Sequence, residues 1–258
     1  MIGRVAVHLS EEDASYLSYV RAITSALRVV PDFVYLEEEG LLSILSRPSE
    51  ERQSAIRKHI EEFFEDFNLY TFSEKDEKTL EELQNSYDLL FVKYKRQFFG
   101  KSMPEWVLSG TDRLRLWVYK EGSKSNIERV CLSVDFSERS VGQVEFADYL
   151  KGIFGFEYEL IYAMNMSRFV NKLSRKDYYK SLLNKREEAK HMYTDTFGRR
   201  ELSLVFLEGD PYRDMVRYIN SAGYHLVVIG RRGRGERKRI GSVSLHMARS
   251  LKCPLIVL

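Results

Sequence analysis

Near its end the chain reads GRRGRGERKRIGSVS, residues 230–244. Gly230 and Gly233 follow an apolar run. A glycine there lets a ligand come close to the backbone, because no Cβ intervenes. Gly241-Ser242 stands before a helix-like segment, whose start offers unpaired N–H groups and a partial positive charge to an anion. Ser242 can cap that helix or hydrogen-bond a phosphate oxygen. The arginines around it suit bidentate phosphate recognition. Three readings are open: a phosphate cradle, a contact to a nucleic-acid backbone through residues 231–239, or a solvated loop.

Two phosphate-binding patterns are excluded. The Walker pattern needs Gly-Lys-Ser/Thr after its spacer, and Gly235 is followed by Glu236-Arg237. The dinucleotide fingerprint needs a third glycine where Lys238 stands. The five histidines show no ligand spacing, so no metal centre is expected. No motif accompanies the arginines to make a nucleic-acid-binding module. No nucleophile, base and orienting group can be assembled. Asp135, at the end of another apolar run, could hold Mg²⁺ with a phosphate and support slow hydrolysis. A binding or switch module is favoured over an enzyme.

The elements that must position these residues follow from periodicity. Residues 128–134, 157–164, 201–210, 225–230 and 254–258 read as strands. Helical spacing covers 138–152, 167–195, the segment after Pro211, and Ser242 to about Leu251. In 167–195 the residues Phe169, Leu173, Tyr178, Leu182 and Leu183 are placed on one face. Alternating strands and helices imply a parallel sheet covered on both sides. Such sheets bind ligands at strand carboxyl ends, where the strand order reverses. Asp135 and the loop after Ile229 both lie at such ends.

The first half repeats this order. Residues 4–23 overlay 129–148 without a gap, DFVYLEE (32–38) matches EYELIYA (157–163), and LRLWVYK (114–120) stands where PLIVL does. The chain reads as two copies of one α/β unit, 1–124 and 125–258, joined by the polar EGSKSN. The first copy has Ser10 in place of Asp135 and lacks the Gly-Ser pair, so it is expected not to hold the same ligand. The net charge of +2 is unevenly spread: residues 1–124 carry 17 Lys and Arg against 22 Asp and Glu, and residues 125–258 carry 23 against 16. An anionic ligand belongs with the second half. Two cysteines in apolar runs, no secretory leader pattern and no long apolar span lead us to expect a cytoplasmic location.

Gly230-x2-Gly233, then Gly241-Ser242-Val243-Ser244, a helix and a last strand, together with SVDFSERS (133–140) and LEGDPYRDM (207–215), resemble the nucleotide-binding branch of the universal stress protein family. The likeness covers the second half and, more weakly, the first. It implies two tandem flavodoxin-like (Rossmann-like) domains, each a five-stranded, mainly parallel sheet with helices on both faces. It also implies stress-related regulation, ATP or ADP as ligand, and pairing of the two domains as an internal pseudo-dimer, with a homodimer and a protein partner as further options. Carried over by position, Val134 and Asp135 meet the adenine and ribose, Ala163 lines the adenine pocket, and Ile229 and Gly230 flank the ribose. Gly233, Gly241, Ser242, Val243 and Ser244 offer N–H and hydroxyl groups to the phosphates. Seven residues separate Gly233 from Gly241 where the family pattern has nine, which bears on the choice among ATP, ADP and AMP.

Overall fold

A computed structural model of the chain describes residues 1–36, 49–96, 100–166, 174–231 and 241–258. The candidate Gly233 and the basic residues Arg234, Arg237, Lys238 and Arg239 lie outside the described residues, as do Phe169 and Leu173. The chain divides into two compact units, Met1–Asn126 and Ile127–Val257.

The first unit runs β1 (Val5–His8), α1 (Ala14–Leu27), β2 (Asp32–Leu36), α2 (Ser49–Glu61), β3 (Asn68–Phe72), α3 (Glu77–Ser86), β4 (Leu89–Lys93), α4 (Met103–Gly110) and β5 (Arg115–Tyr119). Its strands pair in parallel in the order β3-β2-β1-β4-β5. The second unit runs β6 (Arg129–Ser133), α5 (Glu138–Phe154), β7 (Glu157–Asn165), α6 (Arg175–Phe197), β8 (Leu204–Gly209), α7 (Arg213–Ala222), β9 (Leu226–Ile229), α8 (Ser242–Ser250) and β10 (Leu255–Val257). Its order, β8-β7-β6-β9-β10, is the same and also parallel. Parallel neighbours need a crossover, and a helix stands between each strand and the next within a unit.

Every residue of β1 and of β9 is buried. Successive side chains of a strand point to opposite faces, so both faces of each sheet are covered. The two cores differ in chemistry. Around β5 the first is aromatic: Trp117 stacks on Phe91 at 5.1 Å and donates its indole N–H to the Tyr19 hydroxyl at 3.0 Å. The second is aliphatic along β6 and β9, with Cys131 among its buried residues. Burial pushes that thiol's pKa up, which keeps it protonated and unreactive. Cys253, although it stands in an apolar run, is half-buried.

The periodicity of 167–195 misplaced one residue. Leu182 is 6% exposed and packs with Met164 and Met166, whereas Leu183 is 61% exposed. Consecutive helical residues are rotated by about 100°, so the two leucines cannot share the centre of one face. Among the described residues no helix is long and apolar enough to cross a membrane.

Candidate functional site at the carboxyl ends of β6 and β9

In the second unit the chain steps from β6 to β7 and β8 on one side, then returns to lay β9 and β10 on the other. The strand order thus reverses between β6 and β9, and side chains beyond their carboxyl ends face a crevice rather than a neighbouring crossover. A cavity of about 330 Å³ opens there. Nine of the ten residues singled out from the sequence line it: Val134, Asp135, Ala163, Ile229, Gly230, Gly241, Ser242, Val243 and Ser244. The tenth, Gly233, lies outside the described residues.

Asp135 is fixed by the turn that follows β6. Its Oδ1 accepts the Ser137 N–H at 3.1 Å, the Ser137 hydroxyl at 2.6 Å and the Ser140 hydroxyl at 3.1 Å. Its Oδ2 is buried without a hydrogen-bond partner. A buried carboxylate oxygen left unpaired is costly, and this one belongs to a residue lining the cavity. The turn requires Phe136 at φ 56°, in the left-handed region that side chains rarely adopt. Packing holds it there. The Phe136 ring lies 4.7 Å from that of Tyr162 and meets Tyr193 and Phe197 edge-on, while its carbonyl accepts the Thr196 hydroxyl at 3.1 Å.

The facing wall is the start of α8. The helix is capped by Gly241, not by Ser242 as one reading of the sequence had it; Ser242 is the first helical residue. The Ser242 hydroxyl meets the Tyr212 hydroxyl at 2.5 Å, and the Ser244 hydroxyl donates to the Gly230 carbonyl at 2.7 Å. The Gly241 N–H is also committed, to the Arg231 carbonyl at 2.8 Å. These bonds engage the two hydroxyls and the Gly241 amide within the protein. The groups left to face an anion are the amides of Ser242, Val243 and Ser244, which as first-turn amides have no intrahelical acceptor. Arg231 is another correction: it is 4% exposed and does not extend a solvated arginine run.

Tyr212 reaches Ser242 because of the turn after β8. Gly209 sits at φ 145°, and a Cβ there would fall 2.2 Å from the Asp214 carboxylate. Only glycine fits. Asp214 Oδ2 accepts the Asp210 N–H at 2.7 Å, a bond that holds the Asp214 carboxyl below its usual pKa range. Asp210 Oδ1 in turn accepts the amides of Tyr212 and Arg213, at 2.7 and 3.0 Å. The Tyr212 ring meets His246 edge-on at 5.7 Å.

The sequence reading missed several cavity-lining residues, among them Arg139, Gln143, Tyr162 and Met215. Arg139 and Gln143 lie one helical turn apart on α5, a spacing that could have flagged them once Asp135 was placed just ahead of that helix. Gln143 closes the floor by donating to the Ser133 carbonyl at 3.1 Å. Among the described residues no group of three or more His, Cys, Asp or Glu side chains is placed to hold a metal ion.

The profile of the universal stress protein family matches residues 126–258. Among solved structures, a functionally unknown protein from Pseudomonas aeruginosa PAO1 aligns with a TM-score of 0.67 at 15% identity, over 100% of this chain and 92% of that one. A universal stress protein from Archaeoglobus fulgidus DSM 4304 aligns with a TM-score of 0.62 at 17% identity, over 98% and 95%. A putative universal stress protein from Pseudomonas aeruginosa UCBPP-PA14 aligns at 0.60 and 14%, over 99% and 92%. At these identities the likeness shows the fold of the whole chain. No curated protein matches it.

Proposed function

This chain belongs to the universal stress protein family, and from that premise we propose that its second unit binds an adenine nucleotide, ATP or ADP, in the cavity at the carboxyl ends of β6 and β9. The observation that carries the reading is the buried, unpartnered Asp135 Oδ2 in a cavity whose facing wall is the first turn of α8. The donor set fits such a ligand. Asp135 is an acceptor for a ribose hydroxyl or an adenine amino group. Ala163 and Tyr162 add apolar surface to the lining. The amides of Ser242, Val243 and Ser244 suit the phosphates through hydrogen bonds and the helix dipole, and Arg139 adds a cation at the same cavity. These are binding roles, and the protein acts as a nucleotide-sensing module in stress-related regulation.

Equilibrium dialysis with ATP and ADP tests this. Micromolar binding is expected, weakened about tenfold to a hundredfold in Asp135→Ala, as loss of a hydrogen bond to a charged group implies, and abolished in Gly241→Val. No binding at millimolar nucleotide would end the proposal. A second reading keeps the same ligand: Asp135 shares a Mg²⁺ with the phosphates and slow hydrolysis follows. It requires Mg²⁺-dependent phosphate release that disappears in Asp135→Ala. Family membership also supports the proposal of an internal pseudo-dimer, for which sedimentation should give the mass of a single chain; twice that mass would point to a homodimer.

A further inference from the structure

The first unit has a cavity at the equivalent place, and its chemistry is different. Strand register makes the comparison direct. Val7 pairs with Phe91 as Leu132 pairs with Val228. Counting on from these pairs puts His8 where the second unit has Ser133, Ser10 where it has Asp135, and Lys93 where it has Gly230. A lysine thus fills the space that a glycine leaves open beside β9. The cavity is correspondingly small, about 80 Å³ against about 330 Å³. That volume and the missing carboxylate leave no place for a nucleoside.

What remains is cationic. Lys75, Lys93 and Lys95 line the cavity with two acids, Glu11 and Asp13. Lys93 is paired with Asp13 and Lys95 with Glu11. Lys75 has no carboxylate partner among the described residues, so one positive charge of the described lining is unmatched. The second, independent feature is Tyr16. It lines the same cavity, is 1% exposed, and its hydroxyl is buried with no hydrogen-bond partner. An orphaned hydroxyl and an unmatched ammonium group lining one cavity make a place for an acceptor that carries negative charge.

We propose that this cavity of the first unit binds a small oxyanion, a phosphate or a carboxylate, through the Tyr16 hydroxyl and the Lys75 ammonium group. Burial and the nearby Asp13 carboxylate raise the Tyr16 pKa, so the phenol stays a hydrogen-bond donor at all ordinary pH. Lys93 and Lys95 are already neutralised by their partners, so the site takes an anion of low charge rather than a polyphosphate. This does not depend on nucleotide binding in the second unit.

The test is a titration of the full chain with inorganic phosphate, and separately with acetate, at constant ionic strength. His8, which lines the cavity, reports occupancy through its side-chain NMR signals. We expect a saturable His8 shift with at least one of the two anions, the responsive one identifying the class. The apparent affinity should fall about tenfold or more in Tyr16→Phe, which removes only the hydroxyl. Lys75→Ala, a change at an exposed position that the fold tolerates, should weaken it as well. No saturable shift with either anion at tens of millimolar overturns the proposal. So does an equal response in the parent and in both variants, which would reduce the effect to screening of surface charge.

Discussion

At the scale of single residues, the two cavities turn on one polar group each, and neither group is visible as such in the sequence. Asp135 was legible as a carboxylate at a strand end, but its division of labour was not. One oxygen is consumed by Ser137 and Ser140, and the other is left bare. That division depends on Phe136 adopting a left-handed backbone, which nothing local favours and which three distant aromatic rings enforce. His8 shows no metal-ligand spacing in the sequence, and its setting in the fold is more informative. Burial, then the ammonium groups of Lys75 and Lys95, lower its pKa to about 3. The native state therefore keeps His8 neutral, while the unfolded chain takes up a proton below pH 6.5. Stability from this source is complete above pH 6.5 and drains away as the pH falls toward 3. By pH 5 the loss is about 2 kcal/mol. Urea unfolding at pH 7 and pH 5 should show His8→Gln losing less stability across that interval than the parent. Equal losses would mean that His8 is not held neutral.

At the scale of elements, order and type were largely legible, and ends and faces less so. Strands buried on both sides give unbroken apolar runs, which is why β6 and β9 were placed within a residue or two. Helix ends depend on which side chain wins a hydrogen bond. In α8 the cap falls on Gly241, and Ser242, one residue later, turns its hydroxyl to Tyr212, thirty positions away. Helix faces suffer similarly when two large apolar residues are adjacent. The pair on α6 makes this measurable. Leu182→Ala should cost about 2–4 kcal/mol, because it empties a packed site against Met164 and Met166. Leu183→Ala should fall within about 0.5 kcal/mol of the parent. Thermal or urea denaturation would separate them, and similar costs would contradict the assigned face.

At the scale of the whole molecule, one topology is used twice with opposite outcomes. Both units share the strand order and the parallel register, so both place a crevice beside their first and fourth strands. What fills that crevice was readable only in part. The loss of Asp135 and of the Gly-Ser pair from the first copy could be seen in an overlay of the halves. The replacement set, with Lys93 in the place of Gly230 and Tyr16 in the first turn of α1, emerges only when β1 and β4 are brought into register. Hydrogen exchange on the intact chain should keep the two sites apart. ATP should slow amides around 133–140 and 241–247 and leave those around 8–16 unchanged, whereas a small oxyanion should do the reverse. Protection of both regions by ATP alone would show that the assignment of ligands to units is wrong.

The bond between the Gly241 N–H and the Arg231 carbonyl has a wider consequence. It ties Arg231, just past β9, directly to Gly241, the cap of α8, so the start of α8 is anchored to the strand end whatever length of chain joins them. Closing a ring two residues larger costs only about 0.2 kcal/mol in chain entropy. A connection two residues shorter than the family pattern is therefore compatible with the same anchored start of α8. Anchoring of this kind should make insertions between Arg231 and Gly241 cheap in stability, so that a change of length there is felt by what α8 faces and hardly by the fold.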